Sequence, residues 1–88
     1  MTTEARSKLL QKISINGFAI EEKGNQLTLM PRGTEATAKI TIQEVKPGTW
    51  KVVSAFGQYA SFARGKKKAM FESYVNRWAL EAELQAVP

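Results

Sequence analysis

Arg64-Gly65-Lys66-Lys67-Lys68 is the stretch of this chain whose residue types point to chemistry beyond packing, and that chemistry is the capture of an anion. The apolar spacing that follows predicts a helix over residues 66–85, which places the lysines in its first turn. There the helix macrodipole prefers acidic side chains, and each misplaced charge costs about 0.3–1 kcal/mol. The same turn presents backbone N–H groups that have no partner inside the helix. A phosphate satisfies both conditions at once. Two plainer readings stand beside this one: lysines that only serve solubility, or a helix that starts one turn later. The local conflict with the dipole favours the phosphate clamp, because solubility can be served anywhere on a surface.

Around this run lie residues suited to support it. The segment Phe56-Gly57-Gln58-Tyr59-Ala60-Ser61-Phe62-Ala63-Arg64 mixes aromatic and basic side chains, a combination that stacks on bases while holding the backbone. Tyr59 is the candidate for exposed contact, and Phe62 reads as a core anchor. Lys51 and Arg32 complete the candidate nucleic-acid-binding set of Arg64, Lys66, Lys67, Lys68, Lys51, Tyr59 and Arg32. Lys39, Thr41, Gln43, Lys51 and Val53 together form a candidate solvent face of a sheet, of the kind that enters a groove.

Other chemistries find little to work with. The chain has no histidine and no cysteine, so the commonest general base, the commonest zinc ligands and any disulfide framework are missing. Glu21 and Glu22 are neighbours on a strand and face opposite sides, while Glu81 and Glu83 do not share a helix face. Glu35, Glu44 and Glu72 have no spaced partner. No glycine loop cradles a phosphate and no ligand spacing suits a metal. We therefore expect a non-enzymatic protein with no cofactor and no catalytic or metal site. The start, Met1-Thr2-Thr3-Glu4-Ala5-Arg6, lacks the pattern of a signal peptide, and no apolar run reaches membrane-spanning length. The expected setting is the cytoplasm, with no membrane association. A net charge of +5, from 13 basic and 8 acidic side chains, favours acidic partners at long range.

The elements that must position the lysine run follow from periodicity. At 88 residues there is room for one domain, residues 1–88. Thr2 or Thr3 caps a first helix carrying Ala5, Leu9, Leu10 and Ile13 on one face, and Asn16-Gly17 ends it. A hairpin follows, with Ile20 opposite Leu29 across a Gly24-Asn25 loop. A third strand over residues 36–45 alternates Ala38, Ile40 and Ile42 inward. Pro47-Gly48 predicts a type II turn into a fourth strand from Thr49 to about Ala55. Residues 58–63 read either as a short fifth strand or as an irregular approach to the last helix. That helix carries Phe71, Tyr74, Val75, Trp78 and Ala82 as a stripe. The expected fold is α+β: an antiparallel sheet of four or five strands, a short N-terminal helix, and a long amphipathic C-terminal helix on one face.

Two family resemblances attach to these residues. From Ile40 to Glu83, with Gly48-Thr49-Trp50-Lys51-Val52 and Lys66-Lys67-Lys68-Ala69-Met70, the order of elements resembles the arm-type N-terminal DNA-binding domain of tyrosine integrases. That resemblance implies a three-stranded sheet that reads the major groove. The whole-chain order is similar to a double-stranded RNA-binding domain, with Lys66-Lys67-Lys68-Ala69 where that family places its phosphate-binding lysines. Here, though, the helix carries Phe71, Tyr74 and Trp78 in place of small alanines, and the Gly-Pro-x-His loop is missing. The leading expectation is a small basic domain that binds DNA or RNA. The alternative is a protein-interaction module, an accessory or inhibitor protein, alone or as a homodimer, docking an acidic or apolar partner surface through an edge strand such as Phe18–Lys23 or through an uncovered sheet face. The sequence assigns no oligomeric state.

Overall fold

Helix α1 (Thr3–Ile15) begins where its capping residue predicts. Thr2 is extended, and its hydroxyl accepts the Ala5 N–H at 3.1 Å. Glu4 lies in the first turn and Lys12 in the last, each at the end of the dipole that favours it. Thr2→Ala should cost about 1 kcal/mol, read as a lower urea midpoint at unchanged slope. The computed structural model describes residues 1–33 and 38–86.

Four antiparallel strands follow, β1 (Phe18–Lys23), β2 (Gln26–Pro31), β3 (Lys39–Lys46) and β4 (Thr49–Phe56), in the spatial order β1-β2-β3-β4. The hairpin register is the expected one, with Ile20 opposite Leu29. Ala38, Ile40 and Ile42 are all buried as their alternation predicts, and residues 36 and 37 of the expected third strand lie outside the described residues. Gly48 turns β3 into β4 at φ +80°, a conformation open to glycine and costly to other residues. Between Thr41↔Ser54 and Ile42↔Val52 the register slips, leaving Val53 as an extra residue on β4.

Residues 58–63 are not a fifth strand. Gln58–Ala63 is a 3₁₀ helix, and it turns Ala60 and Ala63 into the core. That spacing of three matches the repeat of a 3₁₀ turn, whereas a strand would send the two alanines to opposite faces. The last helix also departs from its expected start. Gly65–Lys67 forms a second 3₁₀ turn, and α2 runs from Lys68 to Ala86.

Both helices lie on one face of the sheet, and a continuous core joins Leu9, Ile13, Leu29, Ile42, Trp50 and Val75. The buried stripe of α2 is Phe71, Val75, Ala79 and Ala82, so Tyr74 is not part of it and Trp78 is only partly buried. The reason is that α2 packs against α1 as well as β4. Ala79 and Ala82 are fully buried on α2, small enough to suit close approach of two helix backbones, while Tyr74 is turned outward.

Helix α2 also covers the β4 edge at Trp50 and Val52. Asn76 accepts the Trp50 N–H through Oδ1 at 2.7 Å and donates to the Trp50 carbonyl at 3.2 Å. The Glu72 carboxylate accepts the Val52 N–H at 2.8 Å. A strand edge that would otherwise invite another strand is thereby occupied. Asn76→Ala strips Trp50 of both partners and should destabilise by about 1–3 kcal/mol, with faster hydrogen exchange at the Trp50 amide.

Candidate nucleic-acid interface

The basic run is built on a sharp change of chain direction. Arg64 is extended, Gly65 takes φ +60°, and the chain then coils through Lys66 and Lys67 into α2. The Lys67 N–H donates to the Arg64 carbonyl at 3.2 Å, and the Lys68 N–H donates to the Gly65 carbonyl. Two of the backbone donors expected to face an anion are thus used by the 3₁₀ turn. What remains is side-chain charge: Arg64, Lys66, Lys67 and Lys68 are all exposed.

None of the three ion pairs among the described residues involves this cluster; they join Met1 to Glu44, Arg6 to Glu22 and Lys12 to Glu81. The nearest acid along α2, Glu72, is one helical turn beyond Lys68 and spends its carboxylate on the Val52 N–H. Among the described residues, the cations of the turn therefore have no ion-pair partner.

The turn lies along β4. Arg64, Gly65 and Lys68 share a groove of 190 Å³ with Val52, Val53, Ser54 and Ala55. Lys51, one position earlier on the strand, is exposed on the sheet face that the helices leave open. That face also carries Lys39, Thr41 and Gln43, set opposite Phe56, Ser54 and Lys51 respectively. Gln26 and Gln43 join across it by a hydrogen bond of 3.0 Å. The predicted sheet-face residues are thus brought together, with the basic turn at their β4 border. Tyr59 stands on the 3₁₀ helix before the turn, 48% exposed. Phe62 is partly buried and packs on Phe18 and Phe71, as a core anchor should.

Arg32 is not part of this cluster. Its guanidinium donates to the Ser14 carbonyl at 3.0 Å and to the Ser14 hydroxyl at 2.7 Å, which ties it to the end of α1. It lines a groove between α1 and β1, and β1 is the opposite edge of the sheet from β4. One cation was missed. Arg77 stands beside the exposed Tyr74, its guanidinium 5.9 Å from the ring centroid. Placing Tyr74 in the core hid this pair, since Lys67, Met70, Tyr74 and Arg77 follow one another at helical spacing on the outward face.

Among the described residues no group of three or more acidic, histidine or cysteine side chains gathers to hold a metal, and no helix is long and apolar enough to cross a membrane. No family model, curated protein or solved structure matches this chain.

Proposed function

We propose that this protein is a small, non-enzymatic nucleic-acid-binding domain that grips phosphates with the basic turn before α2. The observation that carries this reading is the cluster Arg64, Lys66, Lys67 and Lys68, exposed and outside every ion pair found among the described residues. Glu22 and Glu81 are drawn into ion pairs, and Glu44 and Glu72 accept from backbone amides, which supports a positive field around this turn. Lys51 extends the cation set onto the open sheet face, and Tyr59 offers an exposed ring on the 3₁₀ helix before the turn. The open face is the surface that the arm-type resemblance would present to DNA. A cytoplasmic site of action fits a chain without cysteine.

Anisotropy of a labelled oligonucleotide, titrated with protein at low ionic strength, tests this directly. The expected outcome is saturable binding that weakens linearly in log affinity against log salt. Absence of binding to DNA and RNA alike would remove the reading.

One observation favours a second reading, a protein-interaction module. The β4 edge is covered by α2 at Trp50 and Val52, whereas a groove of 420 Å³ runs beside β1, lined by Leu10, Ser14, Phe18, Ile20 and Arg32 among others. An extended peptide of a partner would add to that edge. In that case neutralising Lys66, Lys67 and Lys68 would alter mainly the rate of partner capture.

A further inference from the structure

Beside the basic turn is a second hollow of different chemistry. It holds 290 Å³ between the 3₁₀ helix and the first turns of α2, and its lining is Phe62, Lys67, Met70, Phe71 and Tyr74. Four of these five residues are apolar or aromatic, and the fifth is a cation. Phe62 and Phe71 meet edge to face with centroids 5.3 Å apart, and Phe18 backs both rings. Their part of the wall is therefore anchored in the core. Tyr74 and Met70 form the outer part, 46% and 61% exposed, and Arg77 lies against the Tyr74 ring.

Resting on the nucleic-acid reading above, we infer that this hollow takes one unpaired base of a single-stranded nucleic acid, stacked against Tyr74, with its phosphate held by Lys67. An apolar pocket alone would accept any apolar group. Here the lining cation adjoins Lys66 and Lys68, and no acid lines the hollow. The complementary ligand is a flat apolar ring that carries an anion a few bonds away, which describes a nucleotide. Aromatic platforms beside a cationic track are the general means of holding single strands, because every base has a stacking face. A duplex keeps its bases paired and stacked, so it would leave the hollow empty and contact only the cations. The domain should therefore prefer single strands, of DNA or RNA, to duplex of the same sequence.

The test is an anisotropy titration of an unstructured labelled oligonucleotide and of its duplex, at one low salt concentration. The parent protein, Tyr74→Ala, Tyr74→Phe and Leu84→Ala are compared, with circular dichroism showing that each is folded. Tyr74→Ala should weaken single-strand binding roughly 5- to 150-fold and leave duplex binding within about twofold. Tyr74→Phe, which keeps the ring, should bind like the parent. Leu84→Ala, two or more turns further along α2, should change neither affinity. Equal affinity of the parent for both strands, or an unchanged single-strand affinity in Tyr74→Ala, would overturn the base pocket while leaving the phosphate clamp standing. Failure of the parent to bind either oligonucleotide would overturn both.

Discussion

Trp50→Ala should lose about 3–5 kcal/mol of folding stability, the largest effect expected of any single truncation here. Trp50 is fully buried, at 0% exposure, in the middle of the core formed by the sheet and the two helices. Its backbone is held by Asn76, and the Arg6 guanidinium lies 5.9 Å from its ring. Truncation removes the largest side chain of the core, and the sheet and helix backbones around it have little freedom to collapse. Domains of this size have about 5–15 kcal/mol in total, so the variant should melt far below the parent. Trp50→Phe should be much milder. The indole Nε1–H has no hydrogen-bond partner among the described residues, so the phenyl ring gives up no bond and removes a buried donor. Thermal melts of the three proteins check the order. Equal midpoints for the alanine and phenylalanine variants would contradict this account of the core.

The second large effect concerns binding. Lys66→Gln, Lys67→Gln and Lys68→Gln combined should weaken affinity for a single strand about 100-fold at about 0.1 M salt. Each phosphate contact on single-stranded nucleic acid contributes about 0.7 to the slope of log affinity against log salt, so three lost contacts flatten it by about 2. Stability should not fall with it. The three side chains are exposed and outside the ion pairs found, and near a helix start their charges oppose the dipole. A triple variant that lost binding and also melted early would show that the lysines act on the fold, which the structure gives no reason to expect.

Much of this architecture was legible in the residues. Gly24-Asn25 between two alternating runs specifies a short loop, and a loop of that length specifies the pairing of Ile20 with Leu29. Ala38, Ile40 and Ile42 alternate with polar neighbours because one sheet face is buried and the other is not. Three features escaped. The extra residue at Val53 leaves no mark in composition, because a bulge is decided by how β3 and β4 must curve together. Residues 58–63 carry apolar side chains at spacings of two and three, and only the docking of Ala60 and Ala63 selects the 3₁₀ form. Side-chain size alone points to a stripe through Tyr74 and Trp78, which differs from the buried stripe of α2. Against another helix the small Ala79 is buried, and Tyr74 is turned out.

The candidate site divides in the same way. The basic cluster is contiguous in sequence, so it stays together in any fold, and Lys51 lies one residue before the stretch of β4 that shares its groove. Arg32 was grouped with it by charge alone, and Ser14 holds it elsewhere. The pair Tyr74–Arg77 and the hollow beside it required the rotation of α2 to be known.

The proposed grip on phosphates lies at the turn before α2. A chemical-shift titration of the isotope-labelled protein with short single-stranded and duplex oligonucleotides tests it most directly, because it reports on every residue at once. The amides of Arg64 through Lys68, with Lys51 and Tyr59, should shift together and saturate with both oligonucleotides, and Met70 and Tyr74 should join them with the single strand. Shifts absent from that cluster, or gathered instead along β1 and Arg32, would contradict the claim and point to the groove on the other side of the sheet.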